Sequence, residues 1–136
     1  MNMIEINNRT RSKIDLKQVR RVTEKFLRQN GLSDRELSIA FVGDIVMRRL
    51  NREYRKKDKV TDVLSFSGEG NDLGEIIIDY VQIKRQAKKF SPNAKKELVF
   101  ILVHALLHLL GYDDVTAGGR AEMIALGEKF IKKLHV

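Results

Sequence analysis

Apolar and polar positions alternate through residues 3–8, Met-Ile-Glu-Ile-Asn-Asn, which is the period of a strand with one buried face, and an outer strand is predicted there. Asp15 then stands before a stripe of Leu16, Val19, Val22, Phe26 and Leu27, so a capped helix is predicted to run to about Asn30 and stop at Gly31. Leu37 to Val42 reads as a second strand. Gly43-Asp44 opens a helix whose buried positions are predicted to be Ile45, Val46, Leu50 and Tyr54. Val60 to Phe66 and Leu73 to Tyr80 are strand-like, separated by a stretch rich in turn residues from Ser67 to Asp72.

The C-terminal half changes period. A helix is predicted from about Gln82 to Phe90, followed by a cap at Ser91 with Pro92 as the first residue of the next helix, which runs to Leu110. From Leu98 to Leu110 every side chain is aliphatic or aromatic except His104 and His108, so this helix is predicted to be the central, most buried one. Gly118-Gly119 reads as a break, and residues 120–134 as a last amphipathic helix through Met123, Ile124, Leu126, Phe130, Ile131 and Leu134. Strands interleaved with helices indicate an α+β or α/β layered fold, and the pattern leaves the order of the strands open.

A chain of 136 residues with 43% hydrophobic and 32% charged residues fits one globular domain spanning 1–136. With no cysteine, histidine and carboxylate are the strong metal ligands available. Residues 1–11 are polar and charged, and no apolar run reaches the roughly 20 residues of a membrane span, so a soluble cytoplasmic protein without a membrane partner is expected. The formal charge of +8 favours a polyanion such as RNA. Its placement sharpens that expectation. Arg48, Arg49, Arg52, Arg55, Lys56, Lys57 and Lys59 form one basic block, and Lys84, Arg85, Lys88, Lys89, Lys95 and Lys96 another, with the acidic residues Asp62, Glu69, Asp72, Glu75 and Asp79 between them.

The two imidazoles carry the chemistry. Four residues apart on a helix, His104 and His108 share one face about 6 Å apart along the axis, and one divalent ion answers the need of both for a polar partner. Gly111 ends the helix and lets the chain return with Asp113 or Asp114 as a third ligand. His135 is the remaining histidine, placed beside the terminus. The spacing His104, His108, Gly111, Asp114 is also that of zinc proteases, but those place a glutamate directly after the first histidine, and Ala105 excludes that reading.

The segments Leu50-Asn51-Arg52-Glu53-Tyr54-Arg55, Lys57 to Phe66 with its Thr-Asp-Val-Leu-Ser-Phe core, Leu73-Gly74-Glu75-Ile76 and the histidine run together resemble the bacterial YbeY family. The resemblance spans roughly residues 50–130. It implies an α+β fold, a small mixed sheet packed against helices, with the metal at the end of the buried central helix. It also implies a metal-dependent endoribonuclease specific for single strands. Such an enzyme acts in ribosomal RNA maturation, at the 16S 3′ end, and in ribosome quality control, with the ribosome or small-subunit proteins as partners. One Zn2+ ion is then held by His104, His108 and Asp114, with Arg55 on the scissile phosphate and Arg55 and His108 as the catalytic pair. Lys57, Lys88 and Lys89 are the further RNA-binding candidates, while Asp62, Glu75 and Tyr112 have the weaker claims of a turn cap, a neighbour of the metal and a base-stacking ring.

The chain departs from the family pattern where Gly-Tyr-Asp-His is expected and Asp114 stands in place of the third histidine. Val60 and Ser67 replace usual prolines. The rival reading is a noncatalytic RNA- or ribosome-binding protein that keeps the basic surfaces and has a degraded metal site.

Overall fold

The protein is described by a computed structural model over residues 3–90 and 93–134, the side chain of Phe90 excepted. Its first half runs β1 (Ile4–Asn8), α1 (Leu16–Gln29), β2 (Glu36–Phe41), α2 (Asp44–Arg55) and β3 (Val63–Ser67). The second half continues with β4 (Asp72–Ile78), α3 (Tyr80–Phe90), α4 (Ala94–Leu109) and α5 (Ala117–Leu134). The described strands form a four-stranded sheet in the order β1-β2-β4-β3. β1 pairs with β2 and β2 with β4 in parallel, whereas β3 pairs antiparallel to β4. The sheet is therefore mixed, with β1 and β3 at its edges, and the fold is α+β.

Side-chain alternation gives each face of the sheet its own core. Ile4, Leu37, Ile39, Phe41, Ile76 and Ile78 point to one side, where they meet Val19, Val22 and Phe26 of α1 and the apolar body of α4. Leu64 and Ile77 point to the other, where they close on Met47 of α2 with Val46, Leu50 and Phe66 alongside. Helix α4 lies against α1, α3, α5, β3 and β4, which is why its sequence is apolar almost all round.

The buried face of α2 and the start of α5 differ from the sequence reading. In α2 the buried residues are Met47 and Asn51, while Ile45 is 85% exposed and Tyr54 63% exposed. The stripe that faces the sheet is centred on Met47 and Asn51, so Ile45 falls on the far side, and Tyr54, in the last turn, has only the ring of Phe66 on the edge strand against its own. Helix α4 is capped by Asn93, whose side chain accepts the Lys96 N–H at 2.8 Å, while the expected cap at Ser91-Pro92 lies outside the described residues. Gly118-Gly119 does not break α5 but sits in its first turn, because Thr116 Oγ1 caps the helix by accepting the Gly119 N–H at 2.9 Å.

The N-terminal ends of α2 and α3 are joined by charge. Asp79 caps α3 by accepting the Gln82 N–H at 3.2 Å and is wholly buried. Arg85, on the next turn, pairs with Asp44 at the start of α2 and holds that carboxylate below its ordinary range. Burial first, and then the neighbouring Asp44 carboxylate, push Asp79 up to about 7.

Candidate active site

Helix α4 presents His104 and His108 on its last two turns, on the one side its neighbours leave open. The His104 side chain is 26% exposed and stacks on Phe100 with ring centroids 6.3 Å apart, which fixes the imidazole plane, while His108 is exposed. The helix ends at Leu110, and Gly111 at φ +102° turns the chain back in a conformation that side chains bearing a Cβ rarely adopt. Tyr112 closes this turn, donating its backbone N–H to the Leu107 carbonyl at 3.3 Å and packing its ring on the core.

The returning segment is pinned at each step. Asp113 Oδ1 accepts the Val115 N–H at 3.0 Å, and Arg120 donates to the Asp114 carbonyl at 3.3 Å. At Gly119 an added Cβ would lie 2.6 Å from the Asp113 carbonyl oxygen, so glycine is what lets α5 start this close to the turn. The consequence is a choice between neighbours. Asp113 is engaged in its own turn, whereas Asp114 places Oδ2 3.6 Å from His104 Nε2.

The opposite wall comes from across the edge of the sheet. Tyr54 and Arg55 at the end of α2, and Val63, Leu64, Ser65 and Phe66 of β3, enclose with His104, Ala105, His108 and Asp114 a cavity of about 330 Å³. Lys56 at φ 60° ends α2 in the left-handed conformation, and the buried Asn51 ties down the loop beyond by donating Nδ2 to the Lys59 carbonyl at 2.9 Å. Within the basic block, Asp58 takes Arg48 at 2.8 Å and Arg52 at 3.5 Å. Arg55 is left without a carboxylate partner among the described residues, so its guanidinium lines the cavity as an uncompensated cation.

The donors fit a divalent ion in kind. Two ligands at about 2.1 Å from one tetrahedral zinc stand about 3.4 Å apart, which is close to the separation of His104 and Asp114. His108 lines the same cavity without closing on that pair, and among the described residues no three such side chains form a finished cage.

Other residues singled out in the sequence fall elsewhere. Lys57 is exposed beside Arg55 but outside the cavity lining, and Lys88 and Lys89 occupy the last turn of α3, also outside it. Glu75 is exposed on β4, away from the histidines, and the Asp62 carboxylate accepts from Gln86 Nε2 at 3.1 Å instead of capping a turn. His135 lies outside the described residues. Tyr54, expected in the buried stripe of α2, lines the cavity instead, and Asn51, quoted only as part of a motif, anchors the loop beside it.

Residues 5–135 match the family of endoribonuclease YbeY. The chain belongs to this family. It is 37% identical to the endoribonuclease YbeY of Nautilia profundicola, across 98% of this chain and 93% of that protein. The YbeY of Syntrophotalea carbinolica is 38% identical, covering 83% of this chain and 81% of its own length. Among solved structures, the solution structure of TM1509 from Thermotoga maritima superposes with a TM-score of 0.73 at 26% identity, over 96% of this chain and 87% of that one. The mixed sheet and its helices are thus those of a known fold, and family membership makes RNA the substrate class of a nuclease. No helix among the described residues is long and apolar enough to cross a membrane.

Proposed function

We propose that this YbeY-family protein is a metal-dependent endoribonuclease that cuts single-stranded RNA during maturation of small-subunit ribosomal RNA and in ribosome quality control. The reading places it in the cytoplasm with the ribosome or its small-subunit proteins as partners. One observation carries it: an uncompensated arginine, two histidines and an aspartate line a single open cavity. His104, His108 and Asp114 are the residues that would hold one zinc-like ion, which supplies Lewis acidity and an activated water when bound.

The chain's own side chains do the rest. Arg55 offers the paired donors of a guanidinium to the nonbridging oxygens of the scissile phosphate, so it steadies the charge that grows there. Phe100 lies against the His104 ring and the pinned turn brings Asp114 to it, so two of the three donors stand together before substrate arrives, and His108 closes on them when the ion binds. Asn51 anchors the loop that follows Arg55.

Metal content and cleavage test the proposal together. Purified protein reconstituted with zinc is expected to hold about one ion and to cleave single-stranded RNA. His108→Ala is expected to lose both properties, and Arg55→Ala to lower turnover more than RNA affinity. Full activity in His108→Ala, with contaminating nucleases excluded, would overturn it. RNA binding without metal or cleavage would favour the noncatalytic reading.

A further inference from the structure

Tyr54 is an aromatic side chain that the fold does not use. It is 63% exposed at the end of the buried stripe of α2, and its hydroxyl makes no hydrogen bond among the described residues. Its one ring contact is with Phe66, at 5.1 Å between centroids and 68° between planes. Phe66 is itself packed on the core beneath α2, so the pair is propped from below. An edge-to-face contact covers at most one face of the outer ring, so at least one face stays free. Both rings line the cavity that holds Arg55, His104 and His108.

An open aromatic face beside an uncompensated guanidinium matches the two halves of a nucleotide. Arg55, the next residue in the chain, takes a phosphate, and a nucleobase supplies the flat partner that the ring lacks. Bases within a duplex are stacked on their neighbours and show only edges in the grooves, whereas an unpaired base can turn out and lie on a side-chain ring. We infer that Tyr54, propped by Phe66, is a nucleobase platform: it stacks the unpaired base of the nucleotide gripped by Arg55 and so makes this cavity prefer single strands over duplex. The inference rests on the endoribonuclease reading and adds to it the group that recognises the base.

The test uses the full chain, a labelled oligoadenylate, the same oligonucleotide with one abasic nucleotide moved along it, and an RNA duplex. Tyr54→Ala is expected to bind oligoadenylate about tenfold more weakly, the size of one lost stacking contact, and to bind duplex as the parent does. Its KM for single strands rises more than its kcat falls. Tyr54→Phe and Tyr54→Trp restore the parent's affinity, since both keep a ring. At one position of the abasic scan the parent loses the same tenfold and Tyr54→Ala loses nothing further. Equal affinity of parent and Tyr54→Ala for oligoadenylate overturns the platform, as does equal weakening on single strand and duplex or failure of both aromatic replacements. If the parent cuts no RNA, the endoribonuclease reading falls while the binding scan still decides the platform; if it cuts and the scan is flat, the platform alone falls.

Discussion

At the scale of single residues, position 114 is where this chain differs in chemistry from the family pattern, and its carboxylate nonetheless reaches His104. If that carboxylate shares an ion with the histidines, Asp114→Ala lowers zinc affinity by roughly tenfold or more, and Asp114→His holds or raises it because imidazole is an equally good donor. Competitive chelator titration of the three proteins measures this, and identical affinities would remove Asp114 from the ligand set. The helical spacing of His104 and His108 was legible because it is a local property of the chain. So was the return at Gly111. From the residues alone Asp113 and Asp114 stood level and the resemblance named Asp114; what the letters do not show is how Thr116, Gly119 and Arg120 hold the turn from the far side. Tyr54 misled for a similar reason: helical period tells which face of α2 is apolar but not where the sheet beneath it ends.

Among the elements, those with caps in the letters were read well. Asp15 accepts the Gln18 N–H at 3.1 Å and starts α1, and Gly31 at φ +70° follows its end, as the pattern required. The start of α5 was read poorly, because Thr116 caps it and the glycine pair falls within its first turn. The junction of α2 and α3 gives an element-scale prediction. Asp79 ordinarily titrates near 3.8 and in the fold near 7, so folding favours its protonated form. That contribution is complete below about pH 4, fades as pH rises to about 7 and is absent above. Asp79→Asn keeps an acceptor for the Gln82 N–H and does not titrate, so it is expected to flatten the fall in stability across this window. Denaturant melts at a series of pH values check it, and an unchanged slope would assign the titration to another group.

For the whole molecule, the 26 lysines and arginines overstate the cations RNA can use, because Arg48, Arg52 and Arg85 are already committed to Asp58 and Asp44. With about four phosphates contacted, log affinity against log salt is expected to fall with a slope of roughly −3 on single strands. A binding constant that ignores salt would remove the electrostatic part of this account. The order of the sheet has a further effect. β3 lies at its edge, paired along one side with β4, and it supplies a wall of the cavity. Its amides are therefore expected to exchange with deuterium sooner than those of β4, through an opening far smaller than global unfolding. On warming, catalytic capacity is then lost when one strand peels away, while the helices behind it still melt at their own higher temperature. RNA that spans the cavity is expected to slow exchange in β3 first, so substrate acts as a clasp on an edge the sheet leaves half unpaired.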